Sequence, residues 1–187
     1  ELLLLSVSRL SAEKRIDVLL TAFADAQAEL PGLRLAVVGD GPERTALERR
    51  AGAGVTFLGE LRGDALADVY ASADVFCFPS TTDTFGQVLL EAGASALPVV
   101  AAAAGGALEL VRPGVTGLLV DPDDPADFAR ALLELARSET LRKRLQAGGR
   151  EAALRRTWEG SLFELREAYR TMFAPQVSKP EASHLAA

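Results

Sequence analysis

One cysteine and one histidine among 187 residues remove two chemistries at the outset. A lone Cys77 can form no intrachain disulfide and belongs to no cysteine cluster for zinc. Its place in the apolar run Val75-Phe76-Cys77-Phe78 predicts a buried, inert thiol rather than a nucleophile. The histidine, His184, stands in a polar C-terminal stretch away from every motif. Aromatic residues are scarce, at 6%, while Ala, Leu and Val are plentiful, which argues against a sandwich built on aromatic ladders and for helices packed closely on strands. Positive charge is short as well. A net charge of −6 opposes the extended basic face that nucleic acid or an anionic membrane requires, so a bound anion must be met by local cations. Long hydrophobic runs are missing too: residues 2–5 are far too few to cross a bilayer, and they lack the basic flank and cleavage site of a signal peptide. The chain begins at Glu1 without a methionine and enters a strand directly, as expected of an excised piece.

The 49% of hydrophobic residues supports a substantial core. They fall into short continuous runs at residues 2–8, 33–39, 55–59, 75–79, 98–103 and 117–121. Runs that are apolar throughout, rather than alternating, suit strands buried on both faces of a parallel sheet. Amphipathic segments separate them. Residues 17–29 place Val18, Leu19, Ala22, Phe23 and Ala26 on one face and stop at Pro31-Gly32. Gly41-Pro42 opens a second helix, and Asp124-Pro125-Ala126-Asp127 opens another with a cap and a first-turn proline. This alternation predicts an α/β, Rossmann-like, doubly wound parallel sheet of six strands flanked by helices. Helices at 125–138, 140–154 and 158–173 follow as a C-terminal cap, with Gly148-Gly149 a weak point in the second. Residues 1–173 form one domain in this reading, and 174–187, polar and aperiodic with two prolines, form a disordered tail.

In such a sheet ligands gather beyond the carboxyl ends of the strands, which directs attention to five loops. After the first strand, Arg9 and Lys14 stand five residues apart in Ser8-Arg9-Leu10-Ser11-Ala12-Glu13-Lys14. Two such cations can clamp a diphosphate; equally, they can form a solvated loop paired with Glu13. Gly39-Asp40-Gly41-Pro42 turns a strand into a helix, and its glycines allow a ligand close to the backbone. The richest stretch is residues 79–92. Thr84 and Gln87 stand in N-cap and third-position relation, which predicts a helix beginning near Phe85, with the amides of Phe85, Gly86, Gln87 and Val88 free to meet an anion. Asp83 and Glu91, eight residues apart, place two carboxylates on one side of that site, as acceptors for sugar hydroxyls or simply as a capping residue and an exposed helix residue.

Pro79-Ser80-Thr81-Thr82-Asp83-Thr84-Phe85-Gly86-Gln87-Val88-Leu89-Leu90-Glu91-Ala92 resembles the hallmark of the family 4-type glycosyltransferases (glycosyl transferases group 1), in which two glutamates with seven residues between them bracket a Phe-Gly helix start. Arg9, Lys14, the Gly39–Gly41 turn, and Pro98-Val99-Val100-Ala101 with Gly105-Gly106 and Glu109 resemble the family's other blocks, over residues 2 to about 173. The resemblance implies the C-terminal, donor-binding half of a two-domain GT-B fold, mannosyltransferase-like in places. It also implies a retaining transfer of a hexose from a UDP- or GDP-sugar to an acceptor hydroxyl.

On that resemblance Arg9 and Lys14 hold the donor diphosphate, Asp83 faces the donor sugar, Glu91 binds the ribose hydroxyls, and Leu61 borders the base with Gly39 and Gly41 nearby. No metal or other cofactor is expected, since cations and helix dipoles neutralise the diphosphate. The partners expected are the donor and an N-terminal acceptor-binding domain, without which the chain turns over little, and neither nucleic acid nor direct membrane contact. The location expected is cytoplasmic, with any peripheral membrane attachment left to the other half. The family pattern is broken at Asp83, usually glutamate; at Arg15 and Ala96, usually glycine; and at Gly93, usually larger. These departures keep open a non-catalytic sugar-nucleotide-binding or regulatory module of the same fold, beside an epimerase-like or phosphorylase-like relative.

Overall fold

The computed structural model describes residues 1–156 and 158–173. Six strands, β1 (Leu2–Val7), β2 (Leu33–Val38), β3 (Val55–Gly59), β4 (Val75–Phe78), β5 (Val99–Ala102) and β6 (Gly117–Val120), form one sheet in the order β3-β2-β1-β4-β5-β6. Every pairing in it is parallel. Each strand lies within one residue of the apolar run that predicts it. Period-2 geometry explains why the runs are continuous: Leu4, Leu35, Cys77 and Val100 enter one core, while Leu5, Ala36, Phe76 and Ala101, one residue along, enter the other.

The first core is closed by α1 (Ile16–Glu29), α2 (Arg44–Arg50) and α6 (Pro125–Arg137), with Leu145 from α7 (Glu139–Arg155). The second is closed by α3 (Gly63–Ser72), α4 (Gln87–Ala94) and the single turn α5 (Ala107–Leu110). Fully buried side chains such as Phe23, Phe76 and Phe128 each contribute about 1.5–3 kcal/mol by leaving water. Cys77 is wholly buried, and its burial in the apolar core pushes the thiol well above its ordinary value, so it is inert. Asp124 caps α6 as its sequence signature predicts, accepting from the Ala126 amide at 2.9 Å. No helix among the described residues is long and apolar enough to cross a membrane.

Residues 1–155 form one compact unit and 156 onward a second, in which α8 (Trp158–Phe173) is a continuous helix. The expected cap is therefore described for α6 and α7, and for α8 by itself. The expected tail, with His184, lies outside the described residues.

Glycine-bearing positions show the largest departures from a simple propensity reading. Helix α7 runs without a break through Gly148-Gly149, and Gly148 serves close packing there: a Cβ on it would lie 2.1 Å from the Val115 carbonyl oxygen. Gly93, in the last turn of α4, faces α7; its Cβ would lie 3.1 Å from the Gly149 oxygen. Arg15 and Ala96 are the non-glycine residues with left-handed backbone among those described, at φ of 53° and 56°. Those are the two places where the resemblance noted in the sequence leads to glycine. Ala96 follows α4 in a Schellman turn, the Leu97 amide bonding to the Ala92 oxygen and the Ala96 amide to the Gly93 oxygen, both at 2.9 Å.

Three substitutions separate these effects in one denaturation assay. Ala96→Gly relieves the left-handed strain and raises stability by about 1 kcal/mol, about 2–4 °C in Tm. Gly148→Ala drives a methyl into the Val115 carbonyl and costs about 1–3 kcal/mol. Gly149→Ala, whose nearest neighbour would be 3.7 Å away, is neutral or gains up to about 1 kcal/mol of helix propensity.

Candidate functional site

The strand order reverses direction at β1, so the loops leaving β1 and β4 diverge and open a crevice at their carboxyl ends. Two adjoining hollows fill it. One, of about 370 Å³, is lined by Val7, Ser8, Arg9, Lys14, Phe78, Asp83, Gly86, Gln87 and Val88. The other, of about 450 Å³, shares Val7, Ser8 and Arg9 and extends over Val38, Gly39, Asp40, Glu60 and Leu61. Eight of the eleven residues singled out in the sequence thus meet in one crevice. The other three stand outside these linings: Phe85 is turned to solvent at 62% exposure, Gly41 packs beneath Leu10, and Glu91 sits one turn further along α4.

Backbone contacts between loops hold the two rims. Gly39 adopts φ 125°, and a Cβ there would lie 1.8 Å from the Ser8 carbonyl oxygen; at Gly41 it would lie 2.3 Å from that of Leu10. The close approach that these glycines permit is to another stretch of backbone, where the sequence suggested a ligand. Amides stitch the two together, Ser8 to the Val38 oxygen at 3.0 Å and Leu10 to that of Asp40 at 2.8 Å. On the opposite rim Gly105 and Gly106 play the same part. Their Cβ atoms would lie 2.5 Å from the Asp83 oxygen and 2.7 Å from that of Thr84, and the Gly106 amide donates to the Asp83 carbonyl at 2.7 Å.

Helix α4 starts at Gln87, two residues later than Thr84 and Phe85 suggested. Gly86 is its N-cap, with left-handed φ 64° and ψ 44° and no side-chain cap, so Thr84 does not perform that role. The orphan amides of the first turn are therefore those that follow Gly86, beginning with Gln87 and Val88, at the wall of the first hollow. Across it the Lys14 Nζ lies 2.6 Å from Asp83 Oδ1, with both side chains largely shielded at 16% and 26% exposure. Arg9 reaches over the mouth, 69% exposed, and pairs with Glu13 at 2.8 Å. That is the solvated pairing the sequence left open. The Ser11 hydroxyl donates to the same Glu13 oxygen at 2.6 Å. This bond, the local backbone and Arg9 together hold the Glu13 carboxyl down at about 2.

The Glu91 carboxylate is held at both oxygens. The Tyr70 hydroxyl, from α3, donates to Oε2 at 2.9 Å, and Gln87 Nε2 donates to Oε1 at 3.2 Å. Tyr70 itself is 3% exposed and stacks on Phe76, with ring centroids 5.7 Å apart. Burial, reinforced by the charge and hydrogen bond of Glu91, pushes its hydroxyl well above its ordinary value, so it remains a donor at any working pH. Sequence reasoning missed Tyr70 because an aromatic on the apolar face of an amphipathic helix reads as core. Its phenolic oxygen, which must find a partner when buried, was the available signal. Among the described residues no group of three or more His, Cys, Asp or Glu side chains is placed to hold a metal ion.

Carbon-detected NMR titration of the Glu13 carboxyl checks the Arg9 loop. It should ionise near pH 2, below the usual 4.5, so the pair with Arg9 persists above that pH and is lost only as pH falls through it. Ser11→Ala and Arg9→Ala should each raise the value, because each removes a hydrogen bond that holds the carboxylate ionised.

The architecture and crevice have counterparts among known proteins. The family model described as "Glycosyl transferases group 1" matches residues 1–152. A D-inositol 3-phosphate glycosyltransferase of Salinispora arenicola is 38% identical over 96% of this chain and 43% of its own length. A GDP-mannose-dependent alpha-mannosyltransferase of Mycolicibacterium smegmatis is 41% identical over 81% of this chain and 38% of its own. Among solved structures, Anabaena HepE in complex with UDP and glucose superimposes with a TM-score of 0.77 at 28% identity, over 91% of this chain and 48% of that one. The chain thus spans less than half the length of these relatives. A match over most of its residues, together with this identity and the shared α/β architecture, shows that the chain belongs to the glycosyl transferases group 1 family.

Proposed function

We propose that this chain is the donor-binding half of a retaining glycosyltransferase, one that moves a hexose from a UDP- or GDP-sugar to an acceptor hydroxyl. The observation that carries this is the convergence of Arg9, Lys14 and the start of α4 on the β1/β4 crevice. Two cations and a helix N-terminus in one hollow are what a diphosphate needs from a protein whose net charge is otherwise −6. The complex of HepE with UDP and the relative named for GDP-mannose support a nucleotide-sugar donor and favour neither base.

In this reading the diphosphate lies between Arg9, Lys14 and the amides of Gln87 and Val88. The nucleoside extends along the hollow bordered by Gly39 and Leu61, and the sugar faces Asp83. The bond from the anomeric carbon to the diphosphate oxygen breaks while the acceptor oxygen bonds to the same face, so configuration is retained. Negative charge grows on the departing diphosphate, and Arg9, Lys14 and the amides are aimed where it develops. The group that takes the acceptor proton belongs to the acceptor-binding part of such an enzyme. The diphosphate is neutralised by these cations and dipoles rather than by a divalent metal. The cytoplasm, where nucleotide sugars are supplied, is the location this chemistry implies.

Calorimetric titration of the chain with UDP, GDP and ADP tests the site without an acceptor. One nucleotide should bind preferentially, with Arg9→Ala and Lys14→Ala each weakening it about ten- to hundredfold, the range for charge-assisted bonds. Binding unaffected by either change would overturn the assignment of the clamp. No binding to any nucleotide by a folded chain would favour the non-catalytic module. A separate outcome concerns Asp83, which pairs with Lys14 across the first hollow. Asp83→Asn should tighten the bare nucleoside diphosphate about two- to fivefold, as expected for loss of a partly exposed like charge.

A further inference from the structure

The second hollow, which shares Arg9 with the first and extends to Leu61, has a lining of two kinds. Val7, Val38 and Leu61 give it apolar surface suited to the faces of a planar ring, while Asp40 and Glu60 place two carboxylates in the same lining. We infer that this hollow selects guanine over uracil or adenine, with Glu60 and Asp40 reading the base, so that the donor is a GDP-sugar. The inference rests on the donor-site reading above and narrows it to one nucleotide.

The side chains of this lining offer acceptors rather than donors. Arg62 donates from Nε at 2.9 Å and from a terminal nitrogen at 2.6 Å, both to Glu60 Oε1, so Oε2 keeps its lone pairs among the described residues. Asp40 accepts from the Gly41 amide on Oδ1 at 2.7 Å and from Arg44 on Oδ2 at 2.9 Å, which leaves a position on each oxygen. The Gly41 amide and then Arg44 hold its carboxyl below the ordinary value, so it stays an acceptor. Neither Arg44 nor Arg62 lines the hollow. The side-chain donors that do are Arg9, shared with the first hollow, and the Ser8 hydroxyl, which is buried. Bases differ in what they can give such acceptors. Guanine presents a ring N–H beside an exocyclic amino group, whereas the uracil N–H is flanked by carbonyls and the adenine amino group by a ring-nitrogen acceptor. A carboxylate therefore gains adjacent charge-assisted bonds from guanine and meets like partial charge on the uracil carbonyls. The arginine pairs do not stand in the way: at 60% and 54% exposure of the two carboxylates they are worth little, so turning towards a base costs little.

GDP, inosine diphosphate, UDP and ADP are titrated calorimetrically into the wild-type chain, Glu60→Ala and Asp40→Asn. Inosine diphosphate is GDP without the exocyclic amino group, so the pair isolates one contact. The wild-type chain should bind GDP about tenfold or more tightly than UDP or ADP, and about three- to tenfold more tightly than inosine diphosphate. Glu60→Ala should bring the last ratio close to one, and Asp40→Asn should lower it, while UDP binding to either variant stays within about twofold of the wild type. A merely structural loss would weaken all four nucleotides alike, and that result refutes the reading of the base by these side chains. UDP or ADP bound as tightly as GDP would overturn the guanine assignment and leave the donor site standing. A preference for GDP that survives both substitutions undiminished removes the carboxylates from the recognition. No binding of any of the four to a folded chain removes the donor site itself, and this inference with it. The comparison of GDP with inosine diphosphate needs no variant, so it decides even where a substitution unfolds the chain: equal affinity for the two defeats the proposal.

Discussion

The crevice depends on how closely two pairs of backbone segments approach at the carboxyl edge of the sheet. The loop after β1 touches the turn after β2 through Gly39 and Gly41, and the loop after β4 touches the turn after β5 through Gly105 and Gly106. At each contact an added methyl would sit within 2.7 Å of a carbonyl oxygen, well inside van der Waals distance. Chain segments this close exchange amide hydrogen bonds, and those bonds fix loops that have little side-chain core of their own. Lys14 and Asp83 meet across 69 residues of sequence because both supporting loops are pinned from the outer side. The same pinning leaves the inner side, between β1 and β4, open.

Charges within the crevice are satisfied before any ligand arrives. Lys14 is paired with Asp83, Arg9 with Glu13, and Glu91 with Tyr70 and Gln87. On the proposed donor-site reading, a diphosphate would exchange these partners for its own oxygens, which keeps the net gain modest even where each new bond is strong. The exchange has a consequence for selectivity under the donor-site reading. When the diphosphate takes Lys14, the shielded Asp83 loses its counterion and needs new donors. Sugar hydroxyls supply them and a bare nucleoside diphosphate does not. On the proposed reading, Asp83 would couple recognition of the sugar to binding of the diphosphate.

The sheet was legible in the sequence because strands buried on both faces leave an unambiguous apolar run; Val75-Phe76-Cys77-Phe78 has no polar residue to confuse it. Helix α6 was equally plain, since Asp124 and Pro125 mark a start by chemistry local to the chain. Starts governed by tertiary contact were not plain. Pro42 precedes α2 by two residues, and α4 waits for Gly86 to turn left-handed, which no side-chain signal such as Thr84 overrides. Gly148-Gly149 reads as a flaw in a helix because the Val115 carbonyl that Gly148 makes room for is more than thirty positions away. The cations and carboxylates were found from their place after strands, yet their pairings were not. Arg9 sits equally well with a phosphate or with Glu13 until coordinates exist, and Tyr70 carried no sign of its bond to Glu91.

The departures from the family pattern can now be placed, and their positions bear on whether this chain is a decayed member. Ala96 lies before β5, at the amino edge of the sheet, opposite the crevice; Gly93 faces α7. Arg15 carries left-handed backbone at the entry to α1, and its side chain pairs with Asp123 at 3.1 Å, away from the hollow. Each change thus acts on turn strain or helix packing. Asp83 alone is inside, and there the carboxylate is kept and reaches Lys14 at 2.6 Å despite its shorter side chain. In this chain the departures fall on the scaffold, while Arg9, Lys14, Asp83 and Gln87 line one hollow, the arrangement on which the proposed donor site rests.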